Sequence, residues 1–284
     1  MRPVNLWLHH AGYCVAQERH ALRSGRNVPI RFHALFGVIR HPDHGVILFD
    51  TGYAPRFFDA TRRLPGRIYA MLTPVTLAPH ETAAATVEAA GIAPADVRHI
   101  IVSHLHADHV GGLRDFPNAT FYLSREALHL AQSVRHSPFR ALQHGILPAM
   151  LPDDFLSRTC VIEDFAKPHD DAHLGTGWDL FGDDALVLYA LPGHAAGQMG
   201  LRLDTPHGKW FLVADAIWLH DTLETGTLPH PATRLFFASW SDYVQTVDRL
   251  RAYQRAHPDV RLIPTHCQAT TLPLVGEGPL SRAL

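Results

Sequence analysis

The sequence predicts an α/β fold in which two sheets pack face to face with helices outside. Three observations carry this. Apolar, often β-branched runs recur as strands, at Phe32–Ile39, Val46–Phe49, Val97–Ser103, Leu186–Leu191, Trp210–Val213 and Val260–Pro264. Their order is strands, helices, strands, then helix and strand, which suits two sheets covered by helices. The chain has 284 residues, enough to bury a sizeable core without disulfide staples.

In chain order, residues 4–8 read as a first strand and 12–31, polar with Gly, Arg and Asn, as a surface loop. Phe32–Ile39 and Val46–Phe49 form a hairpin across His41-Pro42-Asp43-His44-Gly45, which is turn chemistry. Asp50-Thr51-Gly52 closes the second strand. Residues 53–80 and 134–160 mix apolar and aromatic residues, Arg and Pro; they read as short helices broken by prolines. Both are expected to be insertions that wall a pocket or form an interface. Glu81–Ala90 is an Ala-rich helix, with Gly91 past its end. Thr120–Leu123 is a short strand, and Ser124 caps a helix of about ten residues. Val161–Phe165 and Trp178–Phe181 read as strands. Met199–Leu203 pairs antiparallel with Trp210–Val213 across Thr205-Pro206-His207-Gly208. Tyr243, Val247 and Leu250 have helical spacing within Trp240–Ala256, a helix that stops before Pro258. One domain over residues 1–284 is expected.

A net charge of −2, with 46% hydrophobic and 18% charged residues, gives no strong pull toward nucleic acid or an anionic membrane. Cys14, Cys160 and Cys267 are scattered, without a C-x-x-C pair, and read as reduced thiols. The first ten residues lack a signal-peptide core, and no window approaches the ~20 apolar residues of a spanning helix. A cytoplasmic protein without nucleic-acid or membrane partners is the expectation.

The chemistry concentrates in His104-Leu105-His106-Ala107-Asp108-His109, followed by Val110-Gly111-Gly112. Imidazole suits zinc, iron and similar metals, and a carboxylate completes such a set. On a helix His104 and His106 do not share a face. In a loop leaving a strand they converge on one ion, while Asp108 and His109 face another. Three further groups follow apolar strands: His194 after Leu191-Pro192-Gly193, Asp215 after Trp210–Ala214, and His266 after Leu262–Thr265. A carboxylate ending a buried strand must be paired or metal-bound, because burying it alone is costly. The chain has 22 histidines. Among the others, His9, His10, His20, His80, His136 and His169 read as solvated or hydrogen-bonded, and His207 as part of a turn. Cys267, next to His266, points the other way if the segment stays extended.

The H-x-H-x-D-H pattern, with His194, Asp215 and His266 after it, resembles the metallo-β-lactamase superfamily from about Phe32 to His266. The resemblance implies a four-layer αββα sandwich of two mixed sheets with outer helices. It implies two divalent ions, zinc first, with Mn, Fe or Co as alternatives. His104, His106 and His194 would hold the first ion. Asp108, His109 and His266 would hold the second, with Asp215 bridging and Asp50-Thr51-Gly52 in support. A metal-bridging hydroxide would attack an ester carbonyl, with Asp108 delivering a proton to the leaving group. Within the superfamily the motifs resemble the dinuclear branch of glyoxalase II and the acyl-homoserine lactonases, which implies a small-molecule ester, first of all a lactone. Those lactonases commonly place a substrate-binding Tyr three residues after the bridging Asp; here that position is Trp218. A homodimer is a further expectation. The alternatives are a glyoxalase II-like thioesterase, a phosphodiester or organophosphate hydrolase, and a non-catalytic metal-binding scaffold. The thioesterase needs cations for glutathione's carboxylates, and the segment after His266 offers only Arg282.

Overall fold

Successive residues along the central strands point to opposite faces, and each face has its own cover. The computed structural model describes residues 3–276, 280 and 283–284; Arg282 and the first two residues of the N-terminal stretch lie outside them. One sheet contains β1 (Asn5–Gln17), β2 (Pro29–His41), β3 (Gly45–Phe49), β4 (Val75–Thr76), β5 (His99–Ile101), β6 (Thr120–Leu123) and β7 (Thr159–Val161). Their spatial order is β4-β1-β2-β3-β5-β6-β7. The other contains β8 (Lys167–Asp171), β9 (Gly175–Asp179), β10 (Leu186–Ala190), β11 (Met199–Thr205), β12 (Gly208–Ala214) and β13 (Val260–Pro264), ordered β13-β12-β11-β10-β9-β8. Both sheets are mixed. In the first, β3, β5, β6 and β7 run parallel; in the second, only β12 and β13 do.

Leu186 and Leu188 of β10, with Trp210 and Leu212 of β12, face inward against Leu6, Ile39 and Ile47 of the first sheet. Their neighbours Val187, Tyr189, Phe211 and Val213 face outward and meet Tyr243, Val247, Leu250 and Tyr253 of the helix Trp240–Ala256. Phe36, Val38, Ile100 and Phe121 face out from the first sheet under Val87 and Ala127 of the helices Ala83–Ala89 and Arg125–Val134. This yields the four layers. Covering both faces explains why the strands read as unbroken apolar runs. Each large apolar side chain so buried contributes about 1.5–3 kcal/mol. The helices start where expected: Thr82, Ser124 and Ser239 each accept a backbone N–H through their hydroxyl.

Three readings are corrected, and one strand had gone unread. Residues 12–31 are not one loop: β1 continues to Gln17 and β2 begins at Pro29, the two strands pairing throughout. A register shift between His10 and Tyr13, with Gly12 at φ +79°, carries the strand past the glycine. Val161–Phe165 is the end of β7 and then a helical turn over Ile162–Phe165. The polar strand β8 had no apolar signal because it is a sheet edge, where charge and proline are tolerated. Finally, His9 is buried and His10 partly so; the Nε2 atoms of both lack hydrogen-bond partners, and the rings stack on Phe36 and His33.

Candidate metal centre

The topology brings the strand ends of interest to one rim. β10, β12 and β13 run in the same direction, since β11 is antiparallel to both β10 and β12, and β13 is parallel to β12. Residues just beyond them, His194, Asp215 and His266, therefore emerge at one edge. The parallel strands β3 and β5 deliver Asp50 and His104 from the other sheet. Two of these exits are strained: Asp50 and Ala214 have positive φ, at +59° and +49°. Such conformations cost of order 1–3 kcal/mol away from glycine and persist where the surroundings impose them.

His104 and His106 lie in irregular chain, and Ala107–Val110 then forms one helical turn carrying Asp108 and His109. The motif is thus part loop and part helix. That turn sits tightly on the segment after β3. A Cβ on Gly111 would fall 2.6 Å from the Gly52 carbonyl oxygen, and the Gly112 N–H donates to Thr51 Oγ1 at 3.0 Å.

All seven sequence-predicted ligands converge. His104, His106 and His194 offer ligand atoms within 4.8 Å of one another, and so do Asp108, His109, Asp215 and His266. His194 Nε2 lies 3.0 Å from His106 Nδ1. Asp215 joins the groups. Its Oδ2 lies 3.3 Å from His194 Nε2 and 2.9 Å from His266 Nε2, and its Oδ1 lies 3.4 Å from His109 Nε2. Asp108 Oδ2 approaches His266 Nε2 at 3.4 Å and His109 Nε2 at 3.6 Å.

The supporting contacts decide which atom of each ring faces inward. His109 Nδ1 donates to Asp50 Oδ2 at 2.7 Å, which leaves Nε2 for the centre. Asp50 also accepts from the Ser103 N–H at 2.8 Å and the Ser103 hydroxyl at 2.7 Å. His266 Nδ1 donates to the His33 carbonyl at 3.0 Å, and its ring stacks on Phe32. His106 hydrogen-bonds to the His144 backbone. Gly145 lies flat against the ring, where a Cβ would be 2.5 Å from Nε2. Such outer contacts fix tautomer and orientation in metal sites. Asp50 was legible as support from Asp-Thr-Gly; Ser103, His33, His144 and Gly145 were not, since no local pattern marks them. Cys267 stays outside both groups, its Sγ accepting the His220 N–H at 3.4 Å.

The electrostatics divide the rings. Burial holds His104 and His194 well below the ordinary histidine pKa and lowers His106, so all three stay neutral. Burial also opposes charge on His109 and His266. There the carboxylates outweigh it: Asp108, Asp50 and Asp215 hold His109 well above the ordinary value, and Asp215 raises His266. Burial likewise opposes charge on Asp215, but His266 and His109 together hold it well below the usual carboxylate range. Without ions, protons on His109 and His266 thus balance the buried carboxylates.

The donor set fits a pair of divalent ions. Nε2 of His104 is buried without a hydrogen-bond partner among the described residues, and Nε2 of His109 and Oδ1 of Asp215 meet only each other, at 3.4 Å and outside good hydrogen-bond geometry. Buried polar atoms left so are costly, and a cation satisfies them all. The two groups make a dinuclear metal-binding site at the base of a pocket of about 660 Å³. Asp108, Asp215 and His266 lie in its floor. Tyr69 and Leu142, from the segments 53–80 and 134–160, line its walls. Trp218 also lines it, edge-on to His194 at 5.7 Å between ring centres.

Comparison with known proteins agrees with this geometry. The model of the metallo-beta-lactamase superfamily matches residues 31–256. The N-acyl homoserine lactonase AttM of Rhizobium radiobacter is 30% identical over 273 residues, which covers 94% of each chain. The N-acyl homoserine lactonase AttM of Agrobacterium fabrum is 29% identical over the same length and coverage. Among solved structures, a mutant of B. thuringiensis AiiA with N-decanoyl-L-homoserine bound at its active site superposes with a TM-score of 0.73. It is 15% identical and both chains are covered completely, a likeness of fold. The sandwich, the converging ligands and these alignments lead to one conclusion: the chain belongs to the metallo-beta-lactamase superfamily, on its acyl-homoserine-lactonase-like branch.

Proposed function

We propose that the chain is a dinuclear metal-dependent hydrolase that opens a lactone carrying an apolar substituent. The observation that carries the reading is Asp215, one carboxylate in reach of both ligand groups at the base of a largely apolar pocket. We assign His104, His106 and His194 to one ion, Asp108, His109 and His266 to the other, and Asp215 to both, with zinc the first candidate. When bound, two such ions supply water activation near neutral pH and Lewis-acid polarisation of a carbonyl.

The chain's own residues do the rest. Asp50, Ser103 and the His33 carbonyl hold the rings in the tautomers that ligation needs. The buried imidazoles His104 and His194 stay neutral and keep their lone pairs. Asp108 lies in the pocket floor, where its carboxylate would take the proton released by the attacking water and pass it to the leaving alcohol oxygen. Trp218 lines the wall beside His194, and its indole can offer only an N–H donor, never an acceptor. The apolar wall excludes water around the acyl portion, and the names of the relatives point the same way: both are N-acyl homoserine lactonases.

The test is a panel of lactones, thioesters, a bis-aryl phosphodiester and a cephalosporin with metal-loaded protein. Lactones should lead in kcat/KM by about 100-fold, a transition-state difference of roughly 2.7 kcal/mol. A lead for the thioester or the phosphodiester overturns the reading. Asp108→Asn, with metal content checked, should lose most activity on alcohol-leaving substrates; full retention removes the proton-delivery role.

A further inference from the structure

One wall of the pocket is a run of aromatic rings that joins the two ligand groups. Phe32, on β2, stacks on His266 at 4.7 Å and 11° between ring planes. Trp218 lies edge-on to Phe32 at 5.8 Å and tilted against Phe237 at 5.0 Å. Phe237 follows the short helix Pro231–Phe236 and stands edge-on to His194 at 5.4 Å. All three rings line the pocket, yet the fold leaves them only 7%, 8% and 9% exposed.

The exposed apolar residues of the same pocket offer a ligand less. Leu72, Leu235 and Phe236 line it at 59%, 89% and 53% exposure. Apolar stabilisation follows the area taken from water, and a chain lying on such open residues keeps much of its own surface wet. The sheltered apolar surface is aromatic and adjoins the ligands of both groups. Ring-on-ring contacts gain more than their buried area alone, because ring quadrupoles favour offset and edge-on geometry. A cationic group would also suit aromatic faces. Two divalent ions beside Asp108 and Asp215 leave the centre positive, however, and repel a further cation.

We propose that this wall is a specificity site for an aromatic ring, so that the preferred substrates are aryl-bearing lactones rather than long-chain alkyl ones. The ring lies along Phe32, Trp218 and Phe237 while the carbonyl faces the metal ligands. Trp218 is the specificity-determining residue, since it contacts both other rings and His194. The bond that is cleaved rests on the lactonase reading; the ring site does not. Water adds to the carbonyl carbon, the acyl C–O bond breaks and the alcohol oxygen takes the proton, as for any lactone.

The test compares α-benzyl-, α-(cyclohexylmethyl)- and α-heptyl-γ-butyrolactone on full-length, metal-loaded protein. Their substituents have equal carbon numbers and their leaving oxygens are alike, so the comparison reads the wall. kcat/KM for the benzyl lactone should exceed that for either of the others by about fivefold, the size of one ring–ring contact. Trp218→Leu should bring that ratio to about one, and Trp218→Phe should keep it above about threefold. Phe237→Leu repeats the test if Trp218→Leu fails to fold. Calorimetry with phenylacetate and cyclohexylacetate gives a readout without turnover: phenylacetate should bind about fivefold tighter, and the leucine variants should abolish the difference. Rings that serve only to hold His194 and His266 would change metal content and leave both ratios alone. Equal rates and equal binding for the aromatic and saturated compounds, or ratios that survive both leucine variants, overturn the proposal. A phenylacetate preference without turnover of any lactone upholds the ring site and removes the lactonase reading.

Discussion

Asp50→Asn separates the two halves of the metal centre. Asp50 touches no proposed ligand atom that faces an ion; it acts from behind, accepting from His109 Nδ1 and from both donors of Ser103. Asparagine keeps the shape and loses the charge and one acceptor. If its carbonyl faces His109, its amide opposes the Ser103 N–H. If it is turned round, the amide opposes His109 Nδ1 and favours the wrong tautomer. One contact is lost either way. Removing an outer-shell partner costs about 10–100-fold in metal affinity, or roughly 1.4–2.7 kcal/mol. His104 feels the change only through Ser103 Oγ, 3.1 Å from its Nδ1. Stepwise titration against a chromophoric chelator should therefore show one metal equivalent weakened 10–100-fold and the other shifted by no more than about threefold. Two equivalents weakened alike, or neither weakened, would refute the assignment of His109 to a site distinct from that of His104.

Three more predictions follow from the same geometry. Gly145→Ala places a methyl 2.5 Å from His106 Nε2 at φ +67°, so it should weaken the other metal equivalent, by about tenfold or more, in the same titration; no shift there means that segment does not set the ring. Chelation should lower Tm, and restoring a divalent ion at about 100 times its Kd should return roughly 2.7 kcal/mol per ion in urea unfolding; identical unfolding with and without metal would contradict a site of orphaned buried atoms. Burial pushes the His9 pKa from 6.5 down to about 4. At pH 7 the ring is neutral folded and unfolded; below 6.5 the unfolded chain takes the proton first, so stability falls until about pH 4 and then levels. The loss is about 3 kcal/mol. Other buried rings add to the same acid loss, so His9→Gln should make the fall between pH 6.5 and about 4 shallower by about 3 kcal/mol in urea unfolding of metal-stripped protein, and parallel pH profiles for the two proteins would dispose of the assignment.

Much of the architecture was legible because strands write their surroundings into alternate positions. Leu186 to Leu191 is apolar throughout since the sandwich lies on one side of β10 and the helix Trp240–Ala256 on the other. The strand-end placement of His194, Asp215 and His266 could be read for a similar reason: a buried apolar run that stops at a polar group must give that group a partner. Where such signals thin out, the reading failed. β8 is a polar edge, and the extension of β1 beyond Gly12 pairs with β2 on one side but has only the short β4 on the other.

The sequence by itself determined the chemical kind of the site: seven imidazole and carboxylate groups, each at the end of a strand or in one short motif. Tertiary structure alone decided how they are sorted and aimed. Which rings share an ion depends on strand direction. Which nitrogen faces it depends on contacts such as His266 to the His33 carbonyl, 233 residues apart in the chain. Such contacts leave no periodic trace, because a backbone carbonyl or a glycine Cα can serve with almost any neighbours around it; only the packing of the two sheets brings it within reach.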